Sequence, residues 1–299
     1  MEVNMDFGRV LNQKFITELN RLHGDEHSWW HKMVEDDDVF ILIRKNRVHV
    51  LVNGGLLLQV SQNRGGLICK AHEDFLSLRN VDDPYVTLTE RETASIKRVK
   101  GLKGLSEHYE KVKRRIKLFT GREKQVVQGL GLGIEQIIDL EVGLGGEKKE
   151  GASRKGAQRI DMAGISDNGA LVFFEVKLFD NSEIRARGEP KVVGQLKKYR
   201  ELLKRYRSEI LDGYEKQFEV YEKLEGSFFK RRMPKPEKFY LYPRTRLIIT
   251  EFDGSQRDFL HSTILKGILK GMKWEADSPD LIAVGKHKII KEKRLFRGL

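Results

Sequence analysis

The chain has 299 residues, of which 39% are hydrophobic and 33% charged, and its formal net charge is +12. This composition is typical of a globular protein long enough for one large or two modest domains. No apolar run approaches the roughly 20 residues that span a bilayer, and the N-terminus lacks a basic-then-apolar signal. Cys69 is the one cysteine, which excludes an intrachain disulfide or a cysteine-rich zinc site. We therefore expect a cytoplasmic protein that does not enter membranes.

The positive charge is concentrated in three segments, Ile96 to Lys117, Lys197 to Arg207, and Lys286 to Arg297. Clustered Lys and Arg favour a polyanionic partner, because neutralising phosphates releases condensed counterions. The alternative for each segment is a solvated face without a partner.

The N-terminal third predicts a small α+β region. Apolar residues at helical spacing predict a helix from Asp6 to Leu22. Asn53-Gly54 predicts a tight hairpin turn, since both residue types tolerate positive φ. Strands are predicted over 39–44, 48–52, 56–60 and 66–70, and mostly helix over 88–119. No residue of this region carries recognisable chemistry.

Beyond a boundary near residue 110, strands alternate with helices, which predicts a mixed α/β sheet. The predicted strands cover 134–142, 159–165, 171–178, 246–250 and 281–284. The predicted helices cover 123–129, 190–210 and 255–272, with the glycines from Gly129 to Gly133 ending the first of them. Residues 145–158 predict a loop. The domains are therefore predicted as an N-terminal α+β accessory domain over 1–110 and an α/β domain over 111–299.

One predicted hairpin gathers residues that could carry chemistry. The turn 167–169, Asp-Asn-Gly, suits a three-residue loop that ends in a left-handed glycine. If Ser166 pairs with Ala170, Asp161 lies directly opposite Glu175. Directly opposed residues project from the same face of a sheet, so the two carboxylates are expected to lie side by side.

Lys177 follows Glu175 by two residues, so strand alternation puts its amine on the same face. Adjacent carboxylates repel unless a cation lies between them, and Mg²⁺ prefers carboxylate and water oxygens. A metal held there would activate water, while the lysine would orient that water and offset charge. The alternative is a solvated strand face on which Lys177 pairs with Glu175 or Asp161.

Arg159-Ile160-Asp161 and Phe174-Glu175-Val176-Lys177 resemble the core signature of the PD-(D/E)XK, or restriction-endonuclease-like, nucleases. Ile160 stands where the family name has proline. Downstream, Gln195 and Tyr199 are similar to the QxxxY motif of the RecB-type and lambda-exonuclease-like branch, and they lie one turn apart on one helix face. The resemblance covers residues 120 to 285 and does not extend to the N-terminal third.

The resemblance implies a restriction-endonuclease-like mixed sheet flanked by helices. It also implies Mg²⁺- or Mn²⁺-dependent hydrolysis of DNA phosphodiester bonds, in defence against foreign DNA or in repair. The site residues that it implies are Asp161, Glu175, Val176, Lys177, Gln195 and Tyr199. The two carboxylates and the carbonyl of Val176 would bind the metal, the lysine would assist the attacking water, and the last two residues would support the site.

The family also has an upstream acidic residue on a helix, which we assign to Glu123, with Glu135 and Glu141 as rivals. Glu123 would bind the metal or its water. The implied partner is DNA, with RNA left open, and the N-terminal region is a candidate surface for self-association or for a protein partner. The alternative function is a nucleic-acid-binding or scaffold protein that keeps the fold without cleaving.

Overall fold

The computed structural model describes residues 7–64, 66–76, 85–88, 109–144, 158–185, 189–232, 235–286 and 292–299. These residues form two compact units. Unit 1 consists of Gln136–Leu211 and Pro236–Leu299, and unit 2 of Phe7–Glu135 and Asp212–Lys235. The units divide the chain near residue 135, whereas the predicted domain boundary was near residue 110.

The helices in the described ranges are α1 (Gln13–His23), α2 (Trp29–Val34), α3 (Glu73–Leu76), α4 (Tyr109–Phe119), α5 (Arg122–Gly133), α6 (Lys191–Arg205), α7 (Arg207–Lys223), α8 (Ser227–Arg231), α9 (Lys266–Met272) and α10 (Glu292–Leu295). A helical turn, Arg257–Phe259, and a π-helical stretch, Leu260–Leu265, lead into α9. Within these ranges, no helix combines the length and apolar character needed to cross a membrane.

Unit 2 contains a five-stranded antiparallel sheet in which each strand pairs with the next along the chain. Its strands are β1 (Val39–Arg44), β2 (Arg47–Val52), β3 (Gly55–Asn63), β4 (Gly66–His72) and β5 (Tyr85–Leu88). The hairpin predicted between β2 and β3 is confirmed, because Asn53 and Gly54 have φ of 49° and 75°. Leu88, predicted to start a helix, instead ends β5.

Helix α5 belongs to unit 2 because a buried glutamine ties it to the sheet. The Gln128 side chain donates to the carbonyl oxygens of Asp38 and Leu51, at 2.8 and 3.1 Å, and accepts from the Gly54 N–H at 2.6 Å. The helix ends within the predicted glycine run, but at Gly133 and not at Gly129. A glycine inside a helix costs only about 1 kcal/mol, and tertiary bonds of this kind offset that cost.

Unit 1 is built on a mixed five-stranded sheet in the order β10-β9-β8-β7-β6. Its strands are β6 (Ile137–Leu144), β7 (Gln158–Ile165), β8 (Ala170–Leu178), β9 (Tyr240–Phe252) and β10 (Leu281–Gly285). β6, β7 and β8 pair antiparallel, and β8, β9 and β10 pair parallel. The predicted α/β class with a mixed sheet is therefore confirmed. Of the loop predicted over 145–158, all but Gln158 lies outside the described residues.

Two elements of this part of the chain differ from the prediction. β9 extends from Tyr240 to Phe252, although only 246–250 was predicted. Pro243 lies inside it and cannot donate to a ladder, and the β8–β9 register shifts there, between Leu171 and Phe173. Helix α7, which continues to Lys223, was also missed beyond residue 210.

The turn between β7 and β8 depends on a glycine. Gly169 has a φ of 84°, and a Cβ at this position would collide with the carbonyl oxygen of Lys238. We expect Gly169→Ala to destabilise unit 1 by about 2–4 kcal/mol, the sum of left-handed backbone strain and overpacking. Urea unfolding followed by circular dichroism measures this loss.

Gly194→Ala is the matched control for this change, since nothing lies within 4 Å of a Cβ there and the residue is in α6. It should be neutral or stabilising, because alanine favours helix. Equal stability of the Gly169→Ala variant and wild type would contradict the described turn.

Candidate active site

The β7–β8 hairpin has the register that the turn predicted. Met162 pairs with Phe174, and Ile165 pairs with Leu171. One step beyond the pair of Met162 and Phe174, the same register puts Asp161 opposite Glu175. At that point the Asp161 side chain takes the place of a ladder carbonyl, since its Oδ2 accepts the N–H of Val176 at 2.8 Å.

The carbonyl of Val176 is directed to the same side of β8 as its N–H. In an antiparallel pair, one residue's N–H and C=O point toward the same neighbouring strand. The hydrogen bond from Val176 N to Asp161 Oδ2 fixes that side as the β7 side. A carbonyl oxygen and a carboxylate are therefore brought to the same edge of β8.

Glu175 and Lys177, both on β8, form a buried ion pair on the same face of the sheet as Asp161 of β7. The lysine Nζ lies 2.8 Å from Glu175 Oε1, and the two residues are 1% and 5% exposed. β8 is the middle strand of five and is buried on both faces, so these charges are not on a solvated surface. Phe174, on the opposite face, packs edge-to-face against Phe296.

A third carboxylate, which the sequence analysis missed, contacts the same lysine. Glu183 Oε2 lies 2.8 Å from Lys177 Nζ. Glu183 is in a 3₁₀ turn, Ser182–Ile184, directly after β8, and the Asn181 side chain accepts its N–H at 2.9 Å. The signal available in the sequence was Asp180-Asn181-Ser182, a run of turn-forming residues that ends the strand and starts a short turn.

Helix α6 brings Gln195 and Tyr199 to the same place. Pro190 precedes its first residue, as predicted for a helix start. Gln195 Nε2 donates to the Tyr199 hydroxyl at 2.6 Å, and that hydroxyl donates to the carbonyl of Arg159 at 2.5 Å. Burial, followed by the negative charges of Glu175 and Asp161, raises the pKa of Tyr199 well above its usual value. The phenol is therefore neutral and adjacent to both carboxylates.

Removing the Tyr199 hydroxyl should weaken the end of β7. We expect Tyr199→Phe to cost about 1–2 kcal/mol of unfolding free energy, since it leaves the Arg159 carbonyl and the Gln195 amide without this partner. The folded-state pKa of Tyr199 is raised, so its contribution is complete below the unfolded tyrosine pKa of about 10 and declines as pH rises above it.

Urea unfolding at pH 7 to 9 measures that difference. Tyr240→Phe is the control, because Tyr240 is 37% exposed and the described residues give its hydroxyl no hydrogen bond. A Tyr199→Phe variant as stable as Tyr240→Phe would contradict the hydrogen-bonded arrangement.

The upstream acidic residue can be compared with the sheet register. Leu140 pairs with Met162 and Val142 with Ile160, so the register puts Glu141 opposite Asp161. Glu141 has a left-handed φ of 50°, and its Oε2 lies 3.4 Å from a guanidinium nitrogen of Arg159.

Glu123 and Glu135, in contrast, belong to unit 2. The place of Glu123 in the site stays a prediction, whereas Glu141 is on the strand next to Asp161. Asp139, also on β6, is fully buried, pairs with Ala163 and was missed by the sequence analysis.

The described residues contain no group of three or more His, Cys, Asp and Glu side chains arranged to hold a metal ion. The oxygen donors gathered here are two carboxylates, Asp161 and Glu175, with the Val176 carbonyl at the same edge of β8. Mg²⁺ commonly takes only one or two protein carboxylates and completes its shell with water and phosphate oxygens. This donor set fits a hard divalent cation.

Exposed basic residues lie along α6. Those on its solvent side are Lys191, Lys197, Lys198, Arg200, Lys204 and Arg205. Two of them, Lys191 and Lys198, lie four residues before and three after Gln195, so they share its helix face. Lys197 is paired with Glu189 at 2.7 Å. The second predicted basic segment is therefore exposed, for most of its length, on the helix that also carries Gln195 and Tyr199.

Comparisons with protein-family models, curated proteins and solved structures find no match to this chain. Its fold and site define an α/β protein with two units, one of which holds the buried residues Glu175, Lys177 and Tyr199, with the half-buried Asp161, at the middle of a mixed sheet.

Proposed function

We propose that unit 1 is a restriction-endonuclease-like domain that hydrolyses phosphodiester bonds of DNA with the help of a divalent cation. The observation that carries the proposal is the convergence of Asp161, Glu175 and Lys177 on one face of β7 and β8, with the Tyr199 hydroxyl beside both carboxylates. A purely structural strand face does not need like charges held together in a buried place, because their repulsion and desolvation are costly.

Asp161, Glu175 and the carbonyl of Val176 would hold Mg²⁺ or Mn²⁺. When bound, the cation supplies an activated water and neutralises charge on the phosphoryl oxygens. Glu141, opposite Asp161 on β6, is the candidate in unit 1 for the upstream acidic residue.

The remaining residues position the water, the DNA and the strand of Asp161, and offset the charge of the phosphate. The ammonium of Lys177 orients the attacking water and offsets the negative charge that develops on the phosphate. Tyr199 holds the carbonyl of Arg159, and thereby the strand that carries Asp161, in place. Gln195 in turn holds the Tyr199 hydroxyl. The exposed lysines of α6 contact the phosphate backbone without reading its sequence.

The test is a cleavage assay with the full-length protein on linear and closed circular DNA, each in Mg²⁺, Mn²⁺ or EDTA. We expect cleavage that depends on the metal and is lost in Lys177→Ala. Cleavage of circular DNA would identify an endonuclease, and cleavage of linear DNA alone an end-dependent enzyme. No cleavage under any metal condition, with DNA still bound, would favour the binding protein without catalysis.

A further inference from the structure

The Lys177 ammonium is held between two carboxylates that have different surroundings. Its Nζ lies 2.8 Å from Glu175 Oε1 and 2.8 Å from Glu183 Oε2. The side chains of Lys177 and Glu175 are 7% and 2% exposed, whereas that of Glu183 is 41% exposed. A buried ammonium is costly without close counter-charges, so both contacts contribute to holding this side chain in place.

The turn that carries Glu183 is held by several contacts of its own. Besides the Asn181 cap, the guanidinium of Arg185 lies over the Phe179 ring at 4.2 Å, and its Nε donates to the Phe179 carbonyl at 2.8 Å. Ile184, next to Glu183, is buried. The Glu183 carboxylate is therefore directed to Lys177 by a turn that other residues hold in place.

We propose that Glu183 is a positioning residue that keeps the Lys177 ammonium in place when Glu175 is occupied by a cation. Glu175 carries two demands under the proposed function, since it pairs with Lys177 and would also bind metal. A carboxylate engaged by a cation offers less counter-charge to the lysine. Glu183 supplies that counter-charge from the exposed side. The first half of this inference, that Glu183 holds Lys177, is independent of nuclease activity, and the second half rests on the proposed function.

The first experiment measures the amine itself. Acetylation of Lys177 by acetic anhydride, followed by mass spectrometry, is compared in wild type, Glu183→Gln and Glu189→Gln. The last variant is the matched control, since it removes an equivalent carboxylate from the exposed pair with Lys197. We expect Lys177 to react several-fold faster in Glu183→Gln and at the wild-type rate in Glu189→Gln. An unchanged rate in Glu183→Gln would overturn the inference.

The second experiment measures function in the same variants. Residues behind a site typically contribute about 10- to 100-fold, so kcat for DNA cleavage should fall by that factor in Glu183→Gln, with KM for DNA within about twofold of wild type. Glu183→Asp, which keeps the charge, should recover part of the loss. Mn²⁺ affinity, measured by calorimetry, should be retained.

The outcomes distinguish the positioning role of Glu183 from the proposed nuclease function. A loss of Mn²⁺ affinity in Glu183→Gln as large as that in Asp161→Asn would make Glu183 a metal ligand and overturn the positioning role, as would a wild-type kcat. A wild-type protein that cleaves nothing would sink the proposed function and the second half of the inference. The acetylation rates would still decide whether Glu183 holds Lys177.

Discussion

An Asp161→Asn variant is expected to cleave DNA at least about a thousandfold more slowly than wild type, because a catalytic metal contributes several kcal/mol of transition-state stabilisation. The change removes one charge from the carboxylate pair and leaves the shape of the side chain. Its amide oxygen can still accept the N–H of Val176, which the carboxylate accepts at 2.8 Å. We therefore expect the stability of unit 1 to change little while metal binding weakens.

The assay pairs this variant with Asp167→Asn, which makes the same chemical change on the exposed turn of the same hairpin. Asp167→Asn should cleave at the wild-type rate. Single-turnover cleavage rates and Mn²⁺ titrations report the two quantities separately. Equal cleavage by Asp161→Asn and wild type would eliminate the proposed metal site, whereas slow cleavage by both variants would indicate that the hairpin as a whole responds to charge.

An Asp280→Ala variant is expected to lose about 3–5 kcal/mol of unfolding free energy, because removing one partner of a buried ion pair leaves the other charge uncompensated. Asp280 and Arg246 are both fully buried. The Asp280 carboxylate accepts the Tyr242 hydroxyl at 2.7 Å and lies 3.0 Å from the guanidinium of Arg244. Its closest approach to Arg246 is 3.6 Å.

Hydrogen-exchange mass spectrometry suits this test, because it reports the peptides of each unit separately. We expect faster exchange across β9 and β10 in Asp280→Ala and wild-type exchange in the control Asp277→Ala, which removes an exposed carboxylate from the same loop. Unchanged exchange in the strands would mean that the cluster contributes no net stability, as happens for some buried pairs.

The hairpin that carries the candidate site was predictable because it depends on local chemistry. A glycine at the third turn position predicted the register that puts Asp161 opposite Glu175. The alternation of side chains along the strand then predicted that Lys177 lies on the same face. The shared helix face of Gln195 and Tyr199 was predictable for a similar reason, since the two residues lie four positions apart on one helix.

The residues that were missed depend on contacts that the spacing of residues does not encode. Glu183 reaches Lys177 only because the chain turns after β8, and a short turn has no periodicity to read. Arg246 and Asp280 are 34 positions apart in the chain, and their pairing follows from the parallel alignment of β9 and β10. The first residues of β9 were not predicted, and Pro243, which lies among them, is accommodated by a register shift between β8 and β9.

The division of the chain near residue 135 differs from the boundary predicted near residue 110, and its cause is also a set of tertiary contacts. The predicted boundary put α5 in the same domain as the strands of the candidate site, which follow it in sequence. The hydrogen bonds of Gln128, however, tie α5 to β1 and β2 of the N-terminal sheet. Such bonds leave no signature in the spacing of residues around position 128.

The interleaving of the two units along the chain limits how the protein can be divided. Residues 212–235 interrupt unit 1 and belong to unit 2, where Phe228 packs against Phe40 and Phe229 against Trp30. A fragment that begins at residue 136 would carry these aromatic side chains without the sheet that buries them, and a fragment that ends at residue 135 would lack them. No single proteolytic cut separates the two units, because their segments alternate at residues 135/136, 211/212 and 235/236, so recombination that transfers unit 1 alone would require a crossover at each of these three places.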